Sequence, residues 1–401
     1  MKKYRAVLRL AASWVLAGAS VIALTPSAGA AVPGAGAHGT PGFAPVPQRA
    51  ALQQGLDALT GRAGASAAIA EVRDHGRAVW RGNSGVADLT TQQPAPVEGE
   101  FRAGSVTKSF VATVVLQLVA EHRVGLEDPI ERHLPGLVPN GANITVRQLL
   151  NHTSGLYDYT EDPRFVYESE EAMRRLLATD RWKSFEPRDV IAAGTSNEPY
   201  FAPGQGWYYS NTGYLVLGEL IRQVTGNDWR TEVRQRVLRP LGLRHTFLPD
   251  GSTSVPGPHS HGYLPLPEGP ADITELNPSV AASAGELIST TDDLSRFYAA
   301  LLGGRLLPPA QLAAMTDTVA AVPQPPTRYG LGLMQLRLSC GEVWGHPGGI
   351  YGYLTYVFSD RTGTRQLAIS TNPYDQQKGA ELVPAAIDLI DLAFCGPKSA
   401  S

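Results

Sequence analysis

The chain has 401 residues, 43% of them hydrophobic and 18% charged, with 42 glycines and 31 prolines. This is the balance of a globular protein with a large core, built as one large two-lobed domain or as two to three smaller ones, and it excludes a disordered or fibrous chain. A formal net charge of −3 gives no general basic surface, so nucleic acids are not expected partners.

The N-terminus reads as a secretory signal peptide over residues 1–30. Lys2, Lys3, Arg5 and Arg9 precede an apolar run from Leu10 to Leu24, and Ala28, Gly29 and Ala30 follow as a small-residue cleavage site. The run is shorter than the ~20 residues of a membrane span. No stable membrane anchor is expected, and the protein reads as secreted. Residues 31–49, rich in Pro, Gly and Ala, read as a flexible leader, and residues 50–396 as a single two-lobed domain.

Within that domain a helix is expected over Ala51–Thr60, then two antiparallel strands, Ala67–Val72 and Ala78–Ser84, around the turn Arg73-Asp74-His75-Gly76. Ser105 to about Glu121 is a helical pattern, apolar nearly all round and therefore buried. Short helices follow at Thr145–Leu150, Glu170–Thr179, Thr212–Val224 and Trp229–Val237, separated by loops rich in Pro and Gly. After Gly285 come helices at Asp292–Leu302 and Gln311–Met315, strands at Leu331–Leu338, Glu342–Gly345, Tyr351–Ser359 and Arg365–Thr371, and a closing helix over Lys378–Phe394. Strands at both ends with helices between imply an α/β (α+β) fold, in which one antiparallel sheet from both termini is flanked by helices. The sheet lobe takes about 50–104 and 285–396, and an all-helical lobe of about 105–284 is inserted.

Two cysteines are present, Cys340 and Cys395. Export places them where thiols oxidise, so they are expected to pair, closing a loop worth at most about 4 kcal/mol by chain entropy. Without a Cys-x-x-Cys spacing they form neither a zinc site nor a redox pair.

The sharpest chemical signal is Ser105-Val106-Thr107-Lys108 at the start of the buried helix. Residues three apart share a helix face, so Lys108 can present its amine to the Ser105 hydroxyl, and a lysine desolvated by apolar neighbours can act as a base. Backbone N–H groups at a helix start favour the negative charge of acyl transfer. Taken alone, the same four residues also read as a helix cap beside a solvated lysine. Tyr209-Ser210-Asn211 falls just before a helix, where Tyr209 could share a proton with Lys108 while Asn211 holds a substrate carbonyl. His346-Pro347-Gly348-Gly349 falls at the end of a strand, where glycines let a substrate backbone approach.

These three elements stand in the order and rough spacing of the serine penicillin-recognising enzymes. The stretches FRAGSVTKSF, ITVRQLLNHTSGLYDYT, YYSNTGYLVLGELI, SAGELISTTDDL, YGLGL and LSCG extend the match. Over roughly residues 50–396 the chain resembles the class C β-lactamase-like group, and within it the secreted, soluble D-alanyl-D-alanine carboxypeptidase/transpeptidases. The resemblance implies a fold of the β-lactamase/DD-peptidase type. It makes Ser105 the acylated nucleophile, Lys108 and Tyr209 the proton-transfer pair, and His346 a neighbour that tunes Tyr209. Asn211 and Gly348 would bind substrate, Phe165 would be an aromatic wall of the acyl-side pocket, and the N–H groups of Ser105 and Gly349 would form the oxyanion hole. No cofactor and no metal are implied. The partner would be a small peptide, amide or ester, including a peptidoglycan stem peptide or a β-lactam, and the protein is expected to be a monomer.

Some positions depart from that pattern. Where such carboxypeptidases carry threonines that hold the substrate's terminal carboxylate, this chain has Pro347 and Gly349; where they carry the pairing arginine, it has Met334; and Val280 stands at the pocket tryptophan. Arg337 is near in sequence, but strand alternation from 334 turns it to the opposite face. The acylation machinery is complete while the carboxylate reader is not, so a carboxylesterase or D-specific amidase/aminopeptidase stands beside the carboxypeptidase reading, as does a β-lactam-binding protein with little turnover. Asn151-His152-Thr153-Ser154-Gly155 is explained by a helix-ending turn, and His259 and His261 lack a metal-site spacing.

Overall fold

The computed structural model describes residues 45–321, 327–375 and 377–397. The signal peptide and residues 31–44 of the leader lie outside them. In chain order, α1 (Arg49–Gly61) leads into β1 (Ala65–Asp74) and β2 (Arg77–Gly85), then β3 (Phe101–Arg102), a 3-10 turn over Gly104–Val106, and α2 (Thr107–Ala120). The next segment holds α3 (Glu170–Ala178), α4 (Pro187–Thr195) and α5 (Asn211–Thr225), then the hairpin β4 (Tyr263–Leu266) and β5 (Gly269–Asp272), so the lobe expected to be all-helical carries a two-stranded sheet closed by the turn Pro267-Glu268. After β6 (Ile288–Ser289) come α6 (Thr291–Leu302), α7 (Pro309–Thr316), β7 (Val319–Ala320), β8 (Thr327–Tyr329), β9 (Met334–Arg337), β10 (Glu342–Ile350), β11 (Tyr353–Ser359), β12 (Arg365–Pro373) and α8 (Leu382–Cys395).

Eight strands form one antiparallel sheet in the order β2-β1-β12-β11-β10-β9-β8-β7. The first hairpin enters it beside the last strand, as expected for a sheet closed by both ends of the chain. One apolar layer, with Leu52, Leu56 and Leu59 of α1 and Leu389, Ile390 and Phe394 of α8, covers Val72, Leu367 and Ile369. On the other side Ile69, Val357 and Ala368 join a second layer with α2, α5 and α6, where the Phe110 and Phe297 rings stack 3.7 Å apart. Burying both sheet faces against helices is the principal apolar contribution to stability.

Several boundaries differ from the sequence expectation for local reasons. The long helix begins at Thr107, because Gly104–Val106 is wound as a 3-10 turn. The strand expected from Leu331 begins at Met334, since Gly330 N–H donates to Leu333 O in a tight turn. The segment Trp229–Val237 breaks at Val233 into a π-helical turn over Arg234–Leu238. β10 does not stop at Gly345 but runs on to Ile350, so His346 to Gly349 lie inside a strand. β9 has ended at the pair Gly345↔Met334, whereas pairing with β11 continues from His346↔Val357 to Ile350↔Tyr353. Pro347 therefore sits where one edge of the strand has lost its partner, a position that tolerates a residue without an N–H.

Cys340 and Cys395 are disulfide-bonded with 5.4 Å between their Cα atoms, tying the β9–β10 turn to the end of α8. Among the described residues no helix is long and apolar enough to cross a membrane. Replacing both cysteines by serine is expected to cost roughly 2–4 kcal/mol, read as a lower thermal midpoint under oxidising conditions. An unchanged midpoint would show that the bridge contributes nothing to stability.

Candidate active site

Ser105 lies in the 3-10 turn between β3 and α2. The turn is anchored by the pairing of Phe101–Arg102 with Ile288–Ser289, by Ala103 N–H donating to Leu287 O at 2.7 Å, and by Leu287 N–H donating to Thr107 Oγ1 at 3.1 Å. Its other side is seated on the free stretch of β10. A Cβ on Gly348 would stand 1.9 Å from Ala103 O and 3.1 Å from Ser105 N, and one on Gly104, whose φ is +55°, would stand 2.7 Å from Gly349 N. Only glycines let the two backbones approach so closely. Gly348, expected to bind substrate, leaves room by its missing side chain for the Ser105 turn, and thereby brings the N–H groups of Ser105 and Gly349 onto adjoining segments.

Lys108 is fully buried, one turn along from Ser105. Its Nζ is 3.2 Å from Ser105 Oγ, 2.7 Å from Asn211 Oδ1 and 2.7 Å from Ala284 O. Burial pushes the ammonium down from its ordinary range, opposed by the charge of Asp158. A neutral amine has two N–H bonds and one lone pair. With the N–H bonds directed at the two carbonyl oxygens, the lone pair faces the Ser105 hydroxyl, the geometry a general base requires.

Asn211 does more inside the protein than the substrate contact expected of it. Its Oδ1 accepts from Lys108 and its Nδ2 donates to Asp158 at 2.9 and 3.2 Å. Asp158 is itself buried, accepts from Thr160 N–H at 3.1 Å, and is raised above the usual carboxylate range by burial.

Tyr209, expected to share a proton with Lys108, lies beside it without a direct hydrogen bond. Lys108 Nζ stands 4.9 Å from the ring centre, so the contact is with the aromatic face, because the carbonyls of Asn211 and Ala284 take the amine's N–H bonds. Among the described residues the buried Tyr209 hydroxyl makes no hydrogen bond of good geometry; burial pushes the phenol well above its ordinary range, and the neighbouring Ser105 hydroxyl opposes that shift. His346 stands beside Tyr209 without bonding it. Its ring centre is 6.3 Å from that of Tyr209, but its Nε2 bonds Tyr329 Oη at 2.8 Å, and burial, then the charge of Lys108, bring the imidazole down to about 3. Burial thus favours the neutral imidazole. His152 packs its ring 4.2 Å from that of Tyr209 and accepts from Ser210 N–H at 3.2 Å, so the helix-ending turn that carries it also supports the site.

Phe165 packs edge-on against Tyr159 and Phe185, at 5.4 and 5.7 Å between ring centres. The three rings, with Val280, Ile350 and Tyr351, line a mostly apolar cavity of about 40 Å³. Tyr159 follows Asp158 and Ile350 follows Gly349, so the cavity shares chain segments with the site, although neither Ser105 nor Lys108 lines it. Met334 joins Tyr209 and Tyr329 in a separate small apolar cluster. Arg337 is 70% exposed and 3.5 Å from Glu342, where strand alternation turns it.

Asp158, Tyr329 and the Ala284 carbonyl were not singled out from the sequence, and His152 was read only as part of a helix-ending turn. Asp158 stands between two tyrosines in SGLYDYT, and a carboxylate in such an apolar setting was the available signal. Its meeting with Asn211, 53 positions away, is a property of the fold.

Gly348→Ala is predicted to displace the Ser105 turn and lower kcat/KM by about 100-fold or more, with an unchanged far-UV circular dichroism spectrum. Wild-type kinetics in that variant would mean that strand and turn are not seated on one another.

The sequence profile of the beta-lactamase family matches residues 50–391. A D-stereospecific amidohydrolase from Streptomyces sp. is 41% identical, with a TM-score of 0.78 over 88% of this chain and 100% of that one. D-amino acid amidase from Ochrobactrum anthropi SV3 is 28% identical, with a TM-score of 0.73 over 86% and 99% of the two chains. Esterase EstB of Burkholderia gladioli is 29% identical over 82% of this chain and 90% of its own length. Penicillin-binding protein 4* of Bacillus subtilis is 28% identical over 70% of this chain, which spans 62% of that protein's length. With the antiparallel sheet, its flanking helices and the Ser105–Lys108 turn already described, these matches make the chain a member of the beta-lactamase family of serine hydrolases.

Proposed function

We propose that this protein is an exported D-stereospecific amide and ester hydrolase that works through an acyl-enzyme on Ser105. The observation that carries the reading is the buried Lys108 Nζ, 2.7 Å from each of two carbonyl oxygens and 3.2 Å from Ser105 Oγ, a contact that the neutral amine makes through its lone pair. As Oγ attacks the amide or ester carbon, Lys108 takes the hydroxyl proton. The N–H groups of Ser105 and Gly349 receive the developing oxyanion. Tyr209, kept protonated by burial, gives its proton to the leaving amine or alkoxide as the bond to carbon breaks. Water then attacks the acyl-enzyme and passes a proton to the Tyr209 oxygen, and Lys108 returns its proton to Ser105. All protons are restored without a metal or cofactor.

The acyl side of the substrate would lie toward the apolar cavity walled by Phe165, Tyr159 and Val280. On the leaving-group side, Met334, Pro347 and Gly349 offer neither a cation nor a hydroxyl, and Arg337 is turned outward. A terminal carboxylate there would forgo charge-assisted bonds worth about 1.5–3 kcal/mol each. This favours amides and esters over peptides ending in a free D-Ala, and the amidohydrolase and esterase relatives support it. Export is supported by the signal-like N-terminus and the disulfide.

The test compares kcat/KM for D- and L-phenylalanine amide, and for a peptide ending in D-Ala-D-Ala as the free acid and as the C-terminal amide. Preference for the D-amide, and an amidated peptide turned over at least as fast as the acid, are predicted. Strong preference for the free acid would restore the carboxypeptidase reading. Ser105→Ala should lower every activity by about 10⁴-fold or more, and retained turnover would remove the assignment altogether.

A further inference from the structure

Asp158 is a buried carboxylate beside the reactive centre that no step above uses. It touches neither Ser105 nor Lys108; Asn211 stands between them, with its amide oxygen 2.7 Å from Lys108 and its nitrogen 2.9 Å from the carboxylate. An asparagine amide can present either end, and what faces it decides which. We propose that Asp158 is a positioning residue: its acceptor-only carboxylate fixes Asn211 with its nitrogen outward and its oxygen toward Lys108, and so aims the amine's lone pair at Ser105. The inference rests on the Ser105–Lys108 reading above and adds a residue to it.

The groups facing Lys108 are Asp158, His152, His346, Tyr209 and Tyr214. Both histidines are held neutral by burial, and burial keeps the two phenols protonated. Asp158 is thus the charged partner that favours the ammonium. Around Asp158 itself stand Glu161 and the phenols of Tyr157, Tyr159, Tyr200 and Tyr208, which the variants below leave in place. Removing the Asp158 charge lowers the Lys108 pKa, so the acidic limb of activity moves to lower pH.

Asp158→Asn is the informative change. Its side-chain oxygen can still cap the turn through Thr160 N–H, but its NH2 group no longer dictates how Asn211 points. The prediction is a kcat at least about tenfold lower with KM within about twofold, and an acidic limb of kcat/KM displaced about one unit downward. Asp158→Ser, which also keeps a cap and lacks the charge, is measured beside it and should behave alike. If Asp158 serves only to shape the loop, the folded variants will show an unmoved limb or changes confined to KM, and the inference is overturned. If neither variant folds, the wild-type Lys108 amine, one of six lysines in the chain, is followed by 13Cε NMR. A second inflection as the carboxylate protonates supports the inference, and a single inflection overturns it. Ser105→Ala run in parallel separates the two failures, since activity persisting there sinks the underlying reading, whereas an unmoved limb in an otherwise serine-dependent enzyme sinks only the role of Asp158.

Discussion

The site depends on an amine placed where water does not reach. Lys108 is fully buried, and the groups that hold it are the neutral oxygens of Asn211 and Ala284. Desolvation disfavours the ammonium, and the absence of a directly bonded carboxylate leaves that effect only partly opposed. The buried environment that would be a penalty for an ordinary lysine is what suits this one to the role of base proposed for it. Asp158, one amide further away, moderates the effect without forming an ion pair that would fix the proton on the amine.

The fold delivers this arrangement by backbone contact. The nucleophile turn is trapped between β6 and the end of β10, where β9 has stopped and the strand edge is open. Glycines at 104 and 348 allow the approach, and any side chain there would separate Ser105 from the N–H of Gly349. Apolar burial on both faces of the sheet keeps strand and turn from moving independently. Chemistry and packing thus share the same few residues, and a change of one methyl group at Gly348 is felt at the reacting atoms.

Much of this was legible in the sequence because it is local. Ser105 and Lys108 stand three residues apart at the start of a helical pattern rich in apolar residues, so periodicity allowed their meeting and the other motifs turned it into a catalytic reading. The antiparallel sheet from both termini followed from strand patterns at the two ends, and the family resemblance supplied Tyr209, Asn211 and His346. What the sequence could not carry are the long-range pairings. Whether the Asn211 oxygen would face a substrate or Lys108 depends on Asp158, and the partner of His346 proved to be Tyr329, across β8 and β10. The motif His346 to Gly349 looked like a strand end because Pro and Gly are strand breakers; it continues as a strand because its free edge packs on the serine turn.

The central claim, that a neutral Lys108 activates Ser105, is tested most directly by following acylation itself. The full chain is mixed with D-phenylalanine p-nitrophenyl ester across a pH series, quenched in acid, and the mass added to the peptide bearing Ser105 is measured for the wild type and for Lys108→Met. The account predicts an adduct on Ser105 whose rate of formation rises along a limb well below the ordinary lysine value of about 10.4, and none in the variant. Acylation of Lys108→Met at the wild-type rate, or a wild-type limb at the ordinary lysine value, would contradict it.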